Sequence, residues 1–282
     1  MLIFTKIAEL QAFIAHVKSS GKKTGFVPTM GALHQGHTSL IAISKIACDV
    51  TICSIFVNPT QFNDKKDLER YPRMPEKDIK LLESAGCDAV FLPEVDEMYP
   101  GGQASDGKAF DFGYLDKILE GAHRPGHFNG VAQVVKRFFE IVEPDKAFFG
   151  SKDYQQVMIV KALVQQMQSP IEIIACPILR ESDGLAMSSR NALLSAEERK
   201  IAGLVPKMMQ EAKQITLQNG ISAAKLFIEQ EVGKQPLMKL DYFEVCDAET
   251  LKLIAQLNES KQHVAVIACF VGKTRLIDNL VF

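Results

Sequence analysis

Nowhere does this 282-residue chain string together the roughly 20 apolar residues a membrane-spanning helix needs, so none is expected. The six cysteines (Cys48, Cys53, Cys87, Cys176, Cys246, Cys269) never take the Cys-x-x-Cys spacing of zinc and redox sites. Most of them sit in apolar runs such as "TICSIFV" and "VAVIACFV", which points to buried thiols in a reducing cytoplasm. There is no surplus of either charge: a formal net charge of −2 gives no general pull towards nucleic acid or an anionic membrane. Any affinity for an anion must then come from locally arranged donors. The first stretch, "MLIFTKIAELQAFIAHVKSSGKK", is interrupted by Lys6 and Glu9 and lacks a small-residue cleavage site, so it is not expected to be a signal peptide. Internal repeats, low-complexity tracts, a paired-carboxylate motif, a Cys–His nucleophile and the G-x-x-x-x-G-K-[ST] phosphate loop are also missing.

With 47% hydrophobic and 23% charged residues, the composition is that of an ordinary globular protein, large enough for one sizeable domain or two modest ones. Up to about residue 176, strand-like and helix-like segments alternate. "TGFVP", "DVTICSIFV", "DAVFLP", "KAFFG" and "IEIIACP" read as strands. Residues 36–47 (Leu40, Ile43 and Ala47 on one face), 75–85, 130–142 and 153–167 read as helices. Continuous apolar strands between amphipathic helices predict an α/β, Rossmann-like doubly wound parallel sheet over residues 1–176. Residues 177–282 predict a smaller C-terminal α+β domain, with helices at 195–217 and 221–232 and strands at "LDYFEVCD", "HVAVIACFVG" and "TRLIDNLVF". The piece "YPGGQASDGKAFDFG" reads as an irregular excursion.

Ligands of doubly wound sheets bind beyond the carboxyl ends of the strands. The unusual residues gather at those positions. "FVPTMGALHQGHTSL" places His34 and His37 around Gly36 where a strand hands over to a helix. The first turn of a helix offers unpaired N–H groups and partial positive charge, and imidazoles there can donate to phosphoryl oxygens in their neutral form. "FVNPTQFN" carries the amides of Asn58 and Gln61, suited to hydroxyl groups, with Pro59 and Asn63 as turn formers. "GAHRPGHFNGV" places Arg124 and His127 ahead of a helix. "FFGSKDYQQV" sets Lys152 and Asp153 at a helix start with Gln156 a turn further on. "RESDGLAMSSRN" presents Ser188, Ser189 and Arg190 as a polar, cationic loop. Taken singly, each also fits a solvated loop or a helix cap.

Together they resemble a known family. H-x-G-H after the first strand of the alternation, with a downstream "MSSR" loop, resembles the paired ATP-binding signatures of the HIGH-motif nucleotidyltransferase superfamily. More narrowly, "PTMGALHQGH", "FVNPTQF", "RPGHFNGV", "FFGSKDYQQ" and "DGLAMSSRN" follow one another as they do in pantothenate synthetases, across about residues 1–195. That resemblance implies ATP-dependent condensation of pantoate with β-alanine through a pantoyl adenylate, releasing AMP and pyrophosphate, with Mg²⁺ accompanying ATP through its phosphates. It implies ATP contacts from Met30, Gly31, Ala32, Leu33, His34, Gln35, Gly36 and His37. Gly150, Ser151, Lys152, Asp153, Leu179, Met187, Ser188, Ser189 and Arg190 would complete the nucleotide site. Of these, His34, His37, Lys152, Ser188, Ser189 and Arg190 would stabilise charge in the reaction. Gln61 and Gln156 would hold pantoate, and Gln61 would also orient β-alanine. The resemblance further implies a homodimer. Because the Ser188–Arg190 loop lies beyond the boundary expected at residue 176, the C-terminal domain is expected to move over the site as a lid. Two positions depart from the family pattern: Ser151 stands where Glu is usual, and Asn129 where Arg is common. The rival readings are an adenylyltransferase that keeps AMP in its product, an aminoacyl-tRNA synthetase fragment, and a binding module without activity. The matched motifs around Gln61 and Gln156 weigh against the first, and the lack of a basic face against the second.

Overall fold

A computed structural model describes residues 1–62, 65–102 and 110–282. Asn63 and much of the expected excursion after Tyr99 lie outside the described residues. By contact, the chain divides into two compact units, one of Met1–Ser151 with Gln155–Pro177, the other of Lys152–Tyr154 with Ile178–Phe282. The short segment Lys152–Tyr154 thus belongs with the second unit although sequence places it deep in the first.

The first unit runs β1 (Leu2–Phe4), α1 (Ile7–Ser19), β2 (Thr24–Thr29), α2 (Gln35–Ala47), β3 (Val50–Ile55), α3 (Lys65–Arg70), α4 (Pro75–Ser84), β4 (Ala89–Phe91), α5 (Val95–Met98), α6 (Leu119–His123), α7 (His127–Val142), β5 (Lys146–Gly150), α8 (Tyr154–Gln166) and β6 (Glu172–Cys176). Its six strands form one parallel sheet in the order β1-β4-β3-β2-β5-β6. Neighbouring strand residues face opposite sides. Phe26, Ile52, Phe91 and Phe149 pack with Leu10 and Ile14 of α1, Val135 and Phe138 of α7 and Leu163 of α8. Val27, Cys53, Val90 and Phe148 pack with Leu40 and Ile41 of α2 and Leu82 of α4. A sheet covered on both faces needs apolar residues at every strand position, which explains the unbroken apolar runs.

From β2 the chain winds outwards through β3 and β4, whereas β5 and β6 wind the other way, so the order reverses between β2 and β5. Those two strands pair only at Gly25–Lys146 and Phe26–Ala147 and then part. Pro28, which cannot donate to a ladder, lies beyond the last pair with β5. A crevice at such a switch point is the usual ligand site of this architecture.

Two elements precede the alternation read from Thr24: the strand β1 and the helix α1, whose buried Leu10, Ile14 and Val17 recur at helical spacing. Helix α7 starts at His127, three residues ahead of the expected 130. The fully buried line of α2 is Leu40, Ile41 and Ser44, with Ile43 and Ala47 at its margin.

In the second unit, α9 (Ala196–Ala202), α10 (Val205–Asn219) and α11 (Ile221–Gly233) precede an antiparallel sheet of β7 (Met238–Asp247), β8 (His263–Val271) and β9 (Thr274–Val281), ordered β7-β8-β9. The single helix expected over 195–217 is two, because Pro206 supplies no N–H to continue α9 but suits the first turn of a new helix. Met209, Ala212 and Ile228 of these helices share a core with Phe243, Val245, Ile267 and Leu276 of the sheet. Among the described residues no helix is long and apolar enough to cross a membrane.

Candidate active site

Beyond Thr29 at the end of β2 the chain turns sharply. The Thr29 hydroxyl donates to the Ser54 carbonyl at 2.7 Å and accepts from the Gly31 N–H at 3.2 Å. Gly31 (φ +81°) and Ala32 (φ +50°) are both left-handed, a conformation that glycine adopts without steric cost. Asp78, on the buried side of α4, accepts from the N–H groups of Ala32 at 2.9 Å and Leu33 at 2.8 Å. Burial pushes its carboxyl above the ordinary range, opposed by those two hydrogen bonds. Asp78→Asn keeps one acceptor but turns an N–H₂ group against the second backbone N–H. Urea unfolding should show a loss of about 1–3 kcal/mol; an unchanged midpoint would mean that the turn does not depend on this clamp.

The turn delivers His34 to the N-cap of α2. Its Nδ1 accepts from the Gly36 N–H at 3.1 Å, and the Nδ1 of His37 accepts from the His34 N–H at 3.3 Å, forming a reciprocal cap. The ring centroids are 4.1 Å apart. An Nδ1 that accepts carries no proton, so this hydrogen-bond pattern assigns both rings as neutral tautomers bearing hydrogen on Nε2. The arrangement can therefore offer two imidazole donors beside the N–H groups of a helix start. Gly36 lies inside the first helical turn with Gln35, so the left-handed reversal belongs to Gly31–Ala32 rather than to Gly36.

At the end of β3, Asn58 is 1% exposed and its amide is fully engaged. Its oxygen accepts from the Tyr99 hydroxyl at 2.9 Å and the Thr60 N–H at 3.3 Å; its nitrogen donates to the Gly130 carbonyl at 3.2 Å and to Gln61 Oε1 at 3.3 Å. Burial pushes the Tyr99 phenol up to about 12, so it stays a donor at any ordinary pH. Asn58, expected to be a hydroxyl-binding amide, is thus a fastener that orients Gln61. Gln61 in turn donates from Nε2 to the Met30 thioether at 3.0 Å, bringing the second cluster to the first. On α7, His127 Nδ1 lies 2.8 Å from the Gln61 carbonyl and its Nε2 lies 3.1 Å from Arg124 Nη1. That carbonyl requires Nδ1–H, which leaves Nε2 to accept from the guanidinium. Asn129 points elsewhere, accepting from the Phe110 N–H at 2.9 Å.

Gly150 closes β5, and Ser151 opens the one-turn 3-10 segment that leads into α8. The adjacent glutamines of α8 have different fates. Gln155 is buried, accepting from the Glu120 N–H and donating to the carbonyls of Leu115 and Ile118. Gln156 is half-buried, and no hydrogen bond within the described residues holds its amide.

The remaining expected residues lie in the second unit. Lys152 Nζ sits 3.8 Å from Asp153 Oδ1. Leu179 accepts at its carbonyl from the Met187 N–H at 3.0 Å, and an antiparallel bridge joins Arg180 to Ala186. Ser188 caps the turn Ser189–Leu193, its hydroxyl accepting from the Arg190 N–H at 3.3 Å. Asn191 ties this loop back by donating to Glu181 Oε1 and the Ala186 carbonyl. Arg199 braces its far side by pairing with Glu181 and Asp183, and holds the Asp183 carboxyl below its usual range. Among the described residues, no group of three His, Cys, Asp or Glu could hold a metal ion.

Sequence reading passed over Asp78, Gly130 and Arg180. Asp78 had a legible signal, since it lies four residues before buried Leu82, on the apolar face of its helix. The other two act through distant partners that no local pattern reveals.

The pantoate–β-alanine ligase family matches residues 2–281 of the chain. Pantothenate synthetase from Porphyromonas gingivalis is 46% identical over 280 residues, covering 99% of each chain. The crystal structure of pantothenate synthetase from Thermus thermophilus superposes with a TM-score of 0.91 at 39% identity, covering 99% of both chains. That of pantoate–β-alanine ligase from Francisella tularensis, complexed with β-γ ATP and β-alanine, gives 0.82 at 36% identity, covering 100% of this chain and 97% of that one.

Proposed function

Because the chain belongs to the pantoate–β-alanine ligase family, we infer that it joins pantoate to β-alanine at the expense of ATP, releasing AMP and pyrophosphate through a pantoyl adenylate. The observation that carries the residue-level reading is the pair of Nε2–H imidazoles at the start of α2, beyond the carboxyl end of β2 at the reversal of strand order.

In the first step the pantoate carboxylate attacks the α-phosphorus of ATP and pyrophosphate departs. Negative charge grows on the phosphoryl oxygens and on the leaving group. His34, His37, Lys152, Ser188, Ser189 and Arg190 are the side chains that donate to that charge. The backbone of Met30–His37, Gly150–Asp153, Leu179 and Met187 completes the nucleotide contacts. The acceleration comes from positioning and preorganised donors, with no covalent intermediate on the protein. In the second step the amine of β-alanine attacks the acyl carbon and AMP leaves. Gln61, oriented by Asn58, and Gln156 hold pantoate's hydroxyl groups, Gln61 also orients β-alanine, and the amine proton passes to water or phosphate. Mg²⁺ fits as the companion of the triphosphate, since it keeps several waters and takes its other ligands from phosphates. The assembly is proposed to be a homodimer in the cytoplasm, where the six free cysteines remain thiols.

AMP release, coupled to a spectrophotometric readout, tests the reaction when pantoate, β-alanine and ATP are each omitted in turn. The ligase requires all three; AMP retained in the product instead would point to an adenylyltransferase. The two glutamines of α8 give a residue-level test. Gln156→Ala should raise the KM for pantoate at least about tenfold, the loss of one modest hydrogen bond of about 1.4 kcal/mol, with the melting temperature unchanged. Gln155→Ala, which strands three backbone groups, should instead lower the melting temperature. An ATP-only defect in Gln156→Ala would count against its pantoate role.

A further inference from the structure

The last strand carries two polar residues where its neighbours are apolar. Asp278 and Asn279 are both 4% exposed, inside a strand that otherwise buries Thr274 and Leu276. Buried polar groups in an apolar strand need partners, and these two find theirs in two separate segments of the second unit. The Asp278 carboxylate receives a bidentate pair from Arg180, at 2.7 Å from Nη1 and 3.0 Å from Nη2. The same guanidinium donates to the Asn279 carbonyl at 3.1 Å and to the Gly184 carbonyl at 3.0 Å. Arg180 thereby pins the base of the hairpin that carries Met187, Ser188, Ser189 and Arg190. The side-chain amide of Asn279 goes the other way, donating from Nδ2 to the Lys152 carbonyl at 2.9 Å. Its own N–H donates to Asp278 Oδ1 at 2.8 Å, which holds the two side chains in a common frame. A second tie, from the Tyr154 hydroxyl to the Ala248 carbonyl at 2.7 Å, secures the other end of the Lys152–Tyr154 segment.

We propose that Asn279 is a positioning residue for the adenylation step: through Asp278 and Arg180 it fixes Lys152 at a set distance from the Ser188–Arg190 loop, so that both sets of phosphate donors act as one preorganised group. The assignment rests on the ligase reading of the site. Its physical basis is that donors aimed at a developing charge help in proportion to how little they must reorganise. A lysine on a flexible stem gains most from a fixed backbone beneath it. Asp278 is a poor probe, because its buried carboxylate anchors the partly exposed Arg180 guanidinium, and removing it releases the hairpin and injures the fold. Asn279 is neutral and can be changed alone.

The test is pantoate-dependent exchange of labelled pyrophosphate into ATP, which reads adenylation without β-alanine. Asn279→Ala should lower the exchange kcat about tenfold with little change in the KM for pantoate. Asn279→Asp, which turns a carboxylate oxygen towards the Lys152 carbonyl, should lower it at least as far. Leu276→Val, which thins the core of the same strand without reaching Lys152, should melt earlier yet exchange at the wild-type rate. The decisive measurement is the Lys152→Ala background: an Asn279→Ala change that acts through Lys152 adds no further loss there. Wild-type exchange in Asn279→Ala, or a loss that adds in full to that of Lys152→Ala, would overturn the proposal. Wild-type protein with no pantoate-dependent exchange would instead remove the ligase reading, and this assignment with it.

Discussion

Replacing His37 with alanine is expected to lower the rate of pantoyl adenylate formation about 10²- to 10³-fold, the usual effect of deleting one donor to developing charge. The same change removes the acceptor for the His34 N–H, so the helix loses half of its reciprocal cap. A cap of this kind contributes about 0.5–2 kcal/mol, and a lower melting temperature should accompany the kinetic loss. Alanine alone therefore cannot separate catalysis from stability. His37→Glu can. Glutamate at the third helical position is the ordinary partner in a capping box, and its charge is favoured near a helix N-terminus. That variant should melt at or above the wild-type temperature, while its carboxylate repels the triphosphate and abolishes exchange. Activity near wild type in either variant would remove His37 from the phosphate site. Retained stability with lost activity in His37→Glu would place its role in the chemistry rather than in the fold.

The second large effect is expected at a residue with no side chain. A Cβ on Gly130 would stand 2.4 Å from the Thr60 carbonyl oxygen and 2.7 Å from Gln61 Cα, both backbone atoms that cannot swing aside. Helix propensity alone favours Gly130→Ala by up to about 1 kcal/mol in the first turn of α7. The overlap acts against it: forced repacking costs about 1–3 kcal/mol, and the turn bearing Gln61 must move. The Asn58–Gly130 hydrogen bond that orients Gln61 is strained by the same displacement. A shift of about 1 Å in a substrate-holding group can cost on the order of 10²-fold in rate. The expected result is a variant with a lower melting temperature and roughly 10²-fold lower kcat/KM for pantoate, whose affinity for a non-hydrolysable ATP analogue is unchanged. A stabilised variant with normal pantoate kinetics would show that α7 and the Gln61 turn pack less closely than the structure shows.

Much of this protein was determined by sequence alone, because the relevant signals are local. Apolar runs such as "TICSIF" demand a sheet covered on both faces, and the alternation with helices demands parallel strands, whatever the remainder of the chain does. The placing of His34 and His37 at a helix start was legible for the same reason: a strand, a glycine-bearing turn and a helical pattern are neighbours along the chain. The break at Pro206 was equally local and available, and the single helix expected over 195–217 gave too little weight to it. Tertiary structure alone decided what each polar group is for. Asn58 and Gln61 share one short motif and one chemistry, yet Tyr99 and Gly130, residues far away in sequence, make Asn58 a fastener and leave Gln61 as the group it orients. Gln155 and Gln156 are adjacent and identical, but the carbonyls of Leu115 and Ile118 occupy only the first. Lys152 reads as part of the first unit and belongs by contact to the second, tied there through Asn279 at the far end of the chain. Backbone conformation and apolar burial follow from short stretches of residues, so sequence carries them. The role of a polar side chain depends on which donor or acceptor from a remote segment reaches it first, and only the folded chain settles that.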